Sequence, residues 1–216
     1  MNPDGDDRGQ AFTLEGFVGS IVVLSAVLFA LQATVITPTT GGQVSDSTRA
    51  QLSTEASDLM TTLSDDPQHD FVTAISYWDA TDQTFAGAVD ESSGYGSDGP
   101  PREMFDGAFE ETFTENGYTY NLVLHYRGGN VSDITDGSDS LALVYRGPPA
   151  PDAVSVSRTV TLFDNATLDQ DVNDDGRQLW EYDTDPSDGD EGYFPIPDAA
   201  PGSPIYNVVE VRLTVW

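Results

Sequence analysis

Residues 17–36 read FVGSIVVLSAVLFALQATVI, twenty positions without a charge, interrupted only by Ser20, Ser25, Gln32 and Thr34. At 1.5 Å per residue such a helix is about 30 Å long, the thickness of a bilayer's hydrocarbon layer. A core helix of that length would carry a polar stripe, and none is visible here. The expectation is a transmembrane or assembly helix over residues 10–37, ended by Pro38.

The flank before this run, MNPDGDDRGQAFTLEG, is not a secretory signal, whose start is basic and whose cleavage site follows the apolar segment. Arg8, Gly9 and Gln10, followed by Ala11-Phe12-Thr13-Leu14-Glu15, place a charged leader and a small residue ahead of the apolar helix. That arrangement resembles the class III signal of archaeal type IV pilins and archaellins. Phe12-Thr13-Leu14-Glu15 is also similar to the bacterial prepilin box, with one residue fewer between Leu and Glu.

The resemblance covers residues 8–36. It implies cleavage by a membrane prepilin peptidase, a leader over residues 1–9, and partners among other pilin-like subunits. Cutting after Gly9 makes Glu15 the sixth mature residue, and cutting after Gln10 makes it the fifth. The resemblance implies that Glu15 pairs with the new N-terminal ammonium of a neighbouring subunit during assembly. Physics offers a plainer alternative, a carboxylate near a helix N-terminus favoured by the macrodipole. Gly16 and Ser20 make a small-xxx-small pair of the kind that lets helices approach closely.

Charge constrains what the rest of the chain can do. The 216 residues hold 37 acidic and 8 basic side chains, a formal charge of −29, and every basic residue is Arg. So one-sided a surface suits concentrated salt, where a Debye length of roughly 3 Å near 1 M screens the self-repulsion. A halophilic source is expected. Nucleic acid is not an expected partner, because phosphate binding needs clustered Lys and Arg and the eight arginines are scattered. The absence of cysteine excludes disulfides and thiolate metal sites.

Residues 38–48 form a polar linker, and residues 49–216 an acidic head expected outside the cell. Ala50, Leu52, Ala56, Leu59, Met60 and Leu63 recur at helical spacing and predict an amphipathic helix. Tyr118, Tyr120, Leu122, Leu124 and Tyr126 alternate as in a half-buried strand. Further strands are expected over residues 141–145, 154–162 and 209–215, and a weaker one over 71–78. Phe105, Phe109 and Phe113 suggest a helix across residues 101–113. The expected class is α+β, a long N-terminal transmembrane helix followed by a mainly antiparallel β ectodomain with helical cover, its short loops suiting a meander. Residues 90–101 and 183–204, rich in Gly, Pro and acid, read as exposed loops.

Asp171, Asn173 and Asp175, followed by Gly176, match the first half of a calcium loop, where alternating oxygens wrap a hard cation. Chance predicts roughly 0.06 such matches in a chain of this composition. The twelfth position, where a bidentate acid belongs, is Tyr182, and an acidic turn without an ion is the alternative. Asn130 and Asn165 begin glycosylation sequons. His69 and His125 are the only histidines, and no catalytic constellation accompanies them. An enzyme is not expected. The leading expectation is a membrane-anchored, minor or accessory pilin-like subunit of a surface system. The alternative is an uncleaved single-span protein whose ectodomain binds a ligand or cation.

Overall fold

The computed structural model describes residues 6–32, 39–128, 140–184 and 192–216. They fall into two compact units, Met1–Ser45 and Asp46–Trp216. The first unit contains the helix α1 (Asp6–Gln32). From Asp46 onward, the helix α2 (Thr39–Asp65) belongs to the second.

Among the described residues no helix is long and apolar enough to cross a membrane, which corrects the spanning helix expected over residues 10–37. The helix α1 begins at Asp6 and runs through Asp7, Arg8 and Glu15 before its uncharged part starts. That part, residues 16–32, is seventeen residues. At 1.5 Å per residue this described stretch measures about 26 Å, against a hydrocarbon layer of about 30 Å. Residues 33–36, which extend the apolar run in the sequence, lie outside the described residues.

The second unit is a small α+β domain. Its order is α2, α3 (Phe71–Ser76), β1 (Trp78–Asp79), β2 (Thr84–Phe85), α4 (Arg102–Phe105), a π-helical turn (Glu110–Thr114), β3 (Tyr120–His125), β4 (Ser140–Val144), β5 (Val154–Phe163), α5 (Gln170–Asn173), a 3-10 turn (Leu179–Glu181) and β6 (Ile205–Val215). The main sheet is antiparallel with strand order β4-β3-β6-β5. The meander expectation fails here, because the last strand enters between β3 and β5. β6 has the alternation for a central position: Tyr206, Val209, Val211, Leu213 and Val215 are all buried.

On the inner face Leu122 and Leu124 of β3 meet Leu213 and Val211 of β6. The α2 residues Leu52, Ala56, Met60 and Leu63 are buried in the same core, while Ala50 is exposed. Two expectations are corrected by local capping. Residues 71–76 are helical because Asp70 caps them, its carboxylate accepting the Thr73 N–H at 2.7 Å, and because Phe71, Ala74 and Ile75 share a helical face. The single helix expected over residues 101–113 breaks where Asp106 and Gly107 take left-handed φ of 50° and 76°. Phe105, Phe109 and Phe113 are buried all the same.

The loop over residues 90–101 is not simply solvated. Tyr95 donates its N–H to Leu143 O at 2.9 Å, Tyr145 donates to Ser93 O at 3.0 Å, and Gly94 bridges to Val144, so the loop lies along the free edge of β4. Residues 192–204 likewise return to the core, with Phe194 and Ile196 buried and the Tyr206 hydroxyl donating to Ile196 O at 2.7 Å.

Candidate functional site

The first candidate is the surface of α1. Every described side chain from residue 14 to residue 28 is exposed. Leu14, Phe17, Val18, Val23, Leu24 and Leu28 show between 51% and 68% of their surface to solvent. At 100° per residue these positions are distributed around the helix rather than gathered in one stripe, and a helix apolar all round is normally buried. Ser20 donates its hydroxyl to Gly16 O at 2.8 Å and is satisfied within the helix. A Cβ at Gly16 or Gly19 would meet nothing within 4 Å, so the small-residue side is open.

Glu15 is exposed on this helix. Arg8, Gly9 and Gln10 fall in its first turns, and their side chains lie outside the described part.

The calcium-like stretch forms a capped helical turn. Asp169 caps α5 by accepting the Asp171 N–H at 2.9 Å, and Asp174 and Gly176 close the turn with φ of 47° and 65°. The Asn173 amide brackets two elements: its Oδ1 accepts from Ala80 N at 3.1 Å, and its Nδ2 donates to Trp78 O at 2.9 Å and Asp169 O at 3.2 Å. Asp175 accepts from the Arg177 backbone N–H, the Arg177 Nε and the Tyr182 hydroxyl, the last two at 2.8 Å. Burial pushes the Asp175 carboxyl up, but these bonds outweigh it and hold the group below the usual carboxylate range. The Asp-x-Asn-x-Asp-Gly rhythm is thus accounted for by one capped helical turn and its left-handed exit. Among the described residues no group of three or more His, Asp or Glu side chains is poised around a metal.

Of the two sequons, Asn165 is exposed in the turn after β5, and Asn130 lies outside the described residues. His69 approaches Asp66, its Nδ1 at 3.4 Å from the carboxylate, inside a turn that Asp66 itself caps. His125 is on the outer face of the sheet, directly across from Glu210 on β6. Burial and then the Arg212 guanidinium push its imidazole below its usual value, with Glu210 opposing.

One feature has no sequence signature. The Arg146 guanidinium stacks 4.2 Å above the Tyr120 ring and donates to Gly96 O and to Thr114 Oγ1, each at 3.1 Å. Burial, opposed by Arg146 and reinforced by Glu110, raises the Tyr120 hydroxyl to about 12. Beside them is a cavity of about 40 Å³, lined by Phe105, Phe109, Tyr120 and Arg146. Tyr120 and Arg146 lie on separate stretches of chain that only the folded sheet brings together.

No curated protein and no solved structure matches the chain. A family model matches residues 8–215, from Arg8 to the end of β6, and the chain therefore belongs to DUF7288, a family of unknown function.

Proposed function

We propose that this chain is a pilin-like structural subunit, minor or accessory, of an archaeal cell-surface assembly. In this reading a prepilin peptidase removes the leader at Arg8-Gly9-Gln10, and α1 then packs among the equivalent helices of other subunits. The acidic α+β head faces the salt-rich medium.

The observation that carries the reading is the exposed apolar circumference of α1. Nine large apolar side chains between Leu14 and Leu28 are in solvent, and burying a single one is worth roughly 1.5–3 kcal/mol. A bundle of like helices would cover all sides at once, as a one-sided contact would not. The second support is the resemblance of Arg8-Gly9-Gln10 to a processing signal, since these residues precede the apolar part of that helix.

The test is the mature N-terminus, read by mass spectrometry in cells with and without the prepilin peptidase. A chain beginning at Gln10 or Ala11 only when the peptidase is present is the expected result, with Gly9→Val blocking the conversion. A chain that keeps Met1 or Asn2 in both strains removes the assembly role.

A further inference from the structure

The sheet has two edges, and the chain treats them differently. The β4 edge is closed by the chain itself, through Tyr95 N–H to Leu143 O and Tyr145 N–H to Ser93 O. The β5 edge is not.

The direction of every backbone group on β5 follows from one pair at the far side of the sheet. Thr119 and Trp216 exchange both backbone bonds, at 2.8 and 2.9 Å. Because bonded and non-bonded pairs alternate along an antiparallel ladder, even-numbered residues of β6 point their N–H and C=O at β3, and odd-numbered ones at β5. Val215, Leu213, Val211 and Val209 are the register partners of Val154, Val156, Arg158 and Val160. Ser155, Ser157, Thr159 and Thr161 must then turn their N–H and C=O away from the sheet. One of these groups meets a polar partner, the Ser157 carbonyl, which accepts from Arg158 Nη1 at 3.2 Å. Among the described residues no other hydrogen bond reaches the outward backbone groups of residues 155–161.

A long unpaired edge is a template for another strand, and proteins usually blunt it with charge, proline, a bulge or a cover. β5 is ten residues long, contains no proline, and has its one irregularity at its far end, between Leu162 and Phe163. Its single charge, Arg158, reaches the other way, to Ser57 and Thr61 of α2. The side chains beside the outward groups are Ser and Thr, small enough for a second strand to lie alongside.

Charge then selects the occupant. The chain carries −29, so two copies repel each other over most of their surface. Residues 153–163 contain no acid, between Asp152 and Asp164, and offer a strip where two copies meet without opposing carboxylates. An antiparallel strand paired with its own copy is related to it by a two-fold axis, so one edge serves both partners. We infer that β5 is a self-recognition edge, on which a second copy of this chain pairs its own β5 antiparallel to join two four-stranded sheets into one of eight. The inference concerns the head and stands apart from α1 and the leader.

A chain without cysteine makes the test direct. Single Ser155→Cys, Ser157→Cys, Thr159→Cys and Thr161→Cys variants of the full chain, with Ser97→Cys as an exposed control in the β4-side loop, are held in detergent to cover α1 and in about 2 M KCl, where the Debye length is under roughly 3 Å. They are then oxidised and scored for disulfide-linked dimer. Facing residues of an antiparallel pair have Cα atoms about 4.5–5.5 Å apart, inside disulfide range, whereas a residue two positions from the axis is about 13 Å from its own copy. The expected result is dimer concentrated at one β5 position when the axis passes through it, or, when the axis passes through the even-numbered residue between two of them, in a mixture of those two variants, such as Ser157→Cys with Thr159→Cys, several-fold above the others and above Ser97→Cys. Adding Thr159→Pro, or Ser157→Pro where the peak involves residue 159, deletes an N–H that β6 does not use and should abolish that peak while the variant keeps its circular dichroism. A flat profile, no dimer at any β5 position alone or in mixture, or a peak that survives a folded Thr159→Pro or Ser157→Pro overturns self-pairing and leaves the edge to a strand of some other protein. None of these readouts depends on whether the leader is cleaved, so this inference and the subunit reading can fail separately.

Discussion

Arg146 covers the face of Tyr120 at 4.2 Å while its Nε and Nη1 hold Gly96 O and Thr114 Oγ1, so one side chain ties the end of β4 to the 96–100 loop, the π-helical turn and the start of β3. A guanidinium does this because it is planar and its donors fan out in fixed directions; an ammonium has neither property. Arg146→Lys should therefore cost about 1–2 kcal/mol, from roughly 0.5–1 for the stacked cation and about 1 for a lost bond. Tyr120→Phe keeps the ring and should change stability by less than about 0.5 kcal/mol. Denaturant unfolding in molar KCl measures both, and equal losses for the two variants would show that the hydroxyl, not the stacked cation, matters.

Asn173 supplies a prediction that separates a structural bracket from a calcium ligand. Asn173→Asp replaces Nδ2 and its two N–H donors by a single oxygen facing both Trp78 O and Asp169 O, and should destabilise by about 2–4 kcal/mol. A calcium loop accepts either Asn or Asp at that position and would gain stability from the ion. Thermal unfolding of both forms with millimolar calcium and with chelator decides the matter. A tolerated Asn173→Asp with a calcium-dependent rise in Tm would favour the cation reading.

That contrast shows what the sequence made legible. Strands β3 and β6 stood out because alternation reports one buried face directly, and Leu122, Leu124, Val211 and Leu213 are buried as their spacing demanded. Strand order was hidden, since nothing local in Val209 or Val211 says that β6 enters between β3 and β5. Residues 71–76 misled because Phe, Val, Thr and Ile are also strand formers, and only the Asp70 cap tips the balance. Asp, Asn and Gly serve both cation loops and capped turns, so the 171–176 pattern could not choose between them. The apolar run of α1 was plain, and among the described residues its uncharged part spans residues 16–32.

Gly94 should be the least replaceable residue of the loop along β4. It sits at φ 57°, and a Cβ there would collide with the Leu143 carbonyl oxygen, which accepts the Tyr95 N–H. Gly94→Ala therefore combines left-handed strain with a backbone clash and should cost about 3 kcal/mol or more. Hydrogen exchange should accelerate at the Tyr95 and Tyr145 amides while β6 amides stay protected. Unchanged exchange at those two amides would mean that the loop does not hold the edge.

His125 makes stability respond to mild acid. Burial and Arg212 hold its folded-state pKa below the unfolded value, so the native state binds the proton less well than the unfolded chain. The contribution is whole above the unfolded value of about 6.5 and declines as pH falls from there toward the depressed folded value. Between pH 8 and pH 5 the wild type should lose about a degree or two more in Tm than His125→Gln, a small effect because the imidazole is partly exposed. Parallel Tm curves for the two proteins would place the acid sensitivity elsewhere.

Salt should matter more than any single side chain. With 37 acids against 8 arginines, the native state concentrates like charge that the unfolded chain spreads out. Lowering KCl from molar concentrations to about 0.1 M lengthens the Debye length from roughly 3 Å to roughly 10 Å and restores that repulsion. A Tm drop of about 10 °C or more is expected, equivalent to several kcal/mol for a domain of this size. Salt also strengthens apolar burial, but that effect grows steadily with concentration, whereas screening is largely complete once the Debye length falls below the spacing of surface charges. The Tm should therefore rise steeply up to about 0.5–1 M and flatten beyond. A line of constant slope through molar KCl would assign the salt response to apolar burial, and the acidic surface would then lose its role in stability.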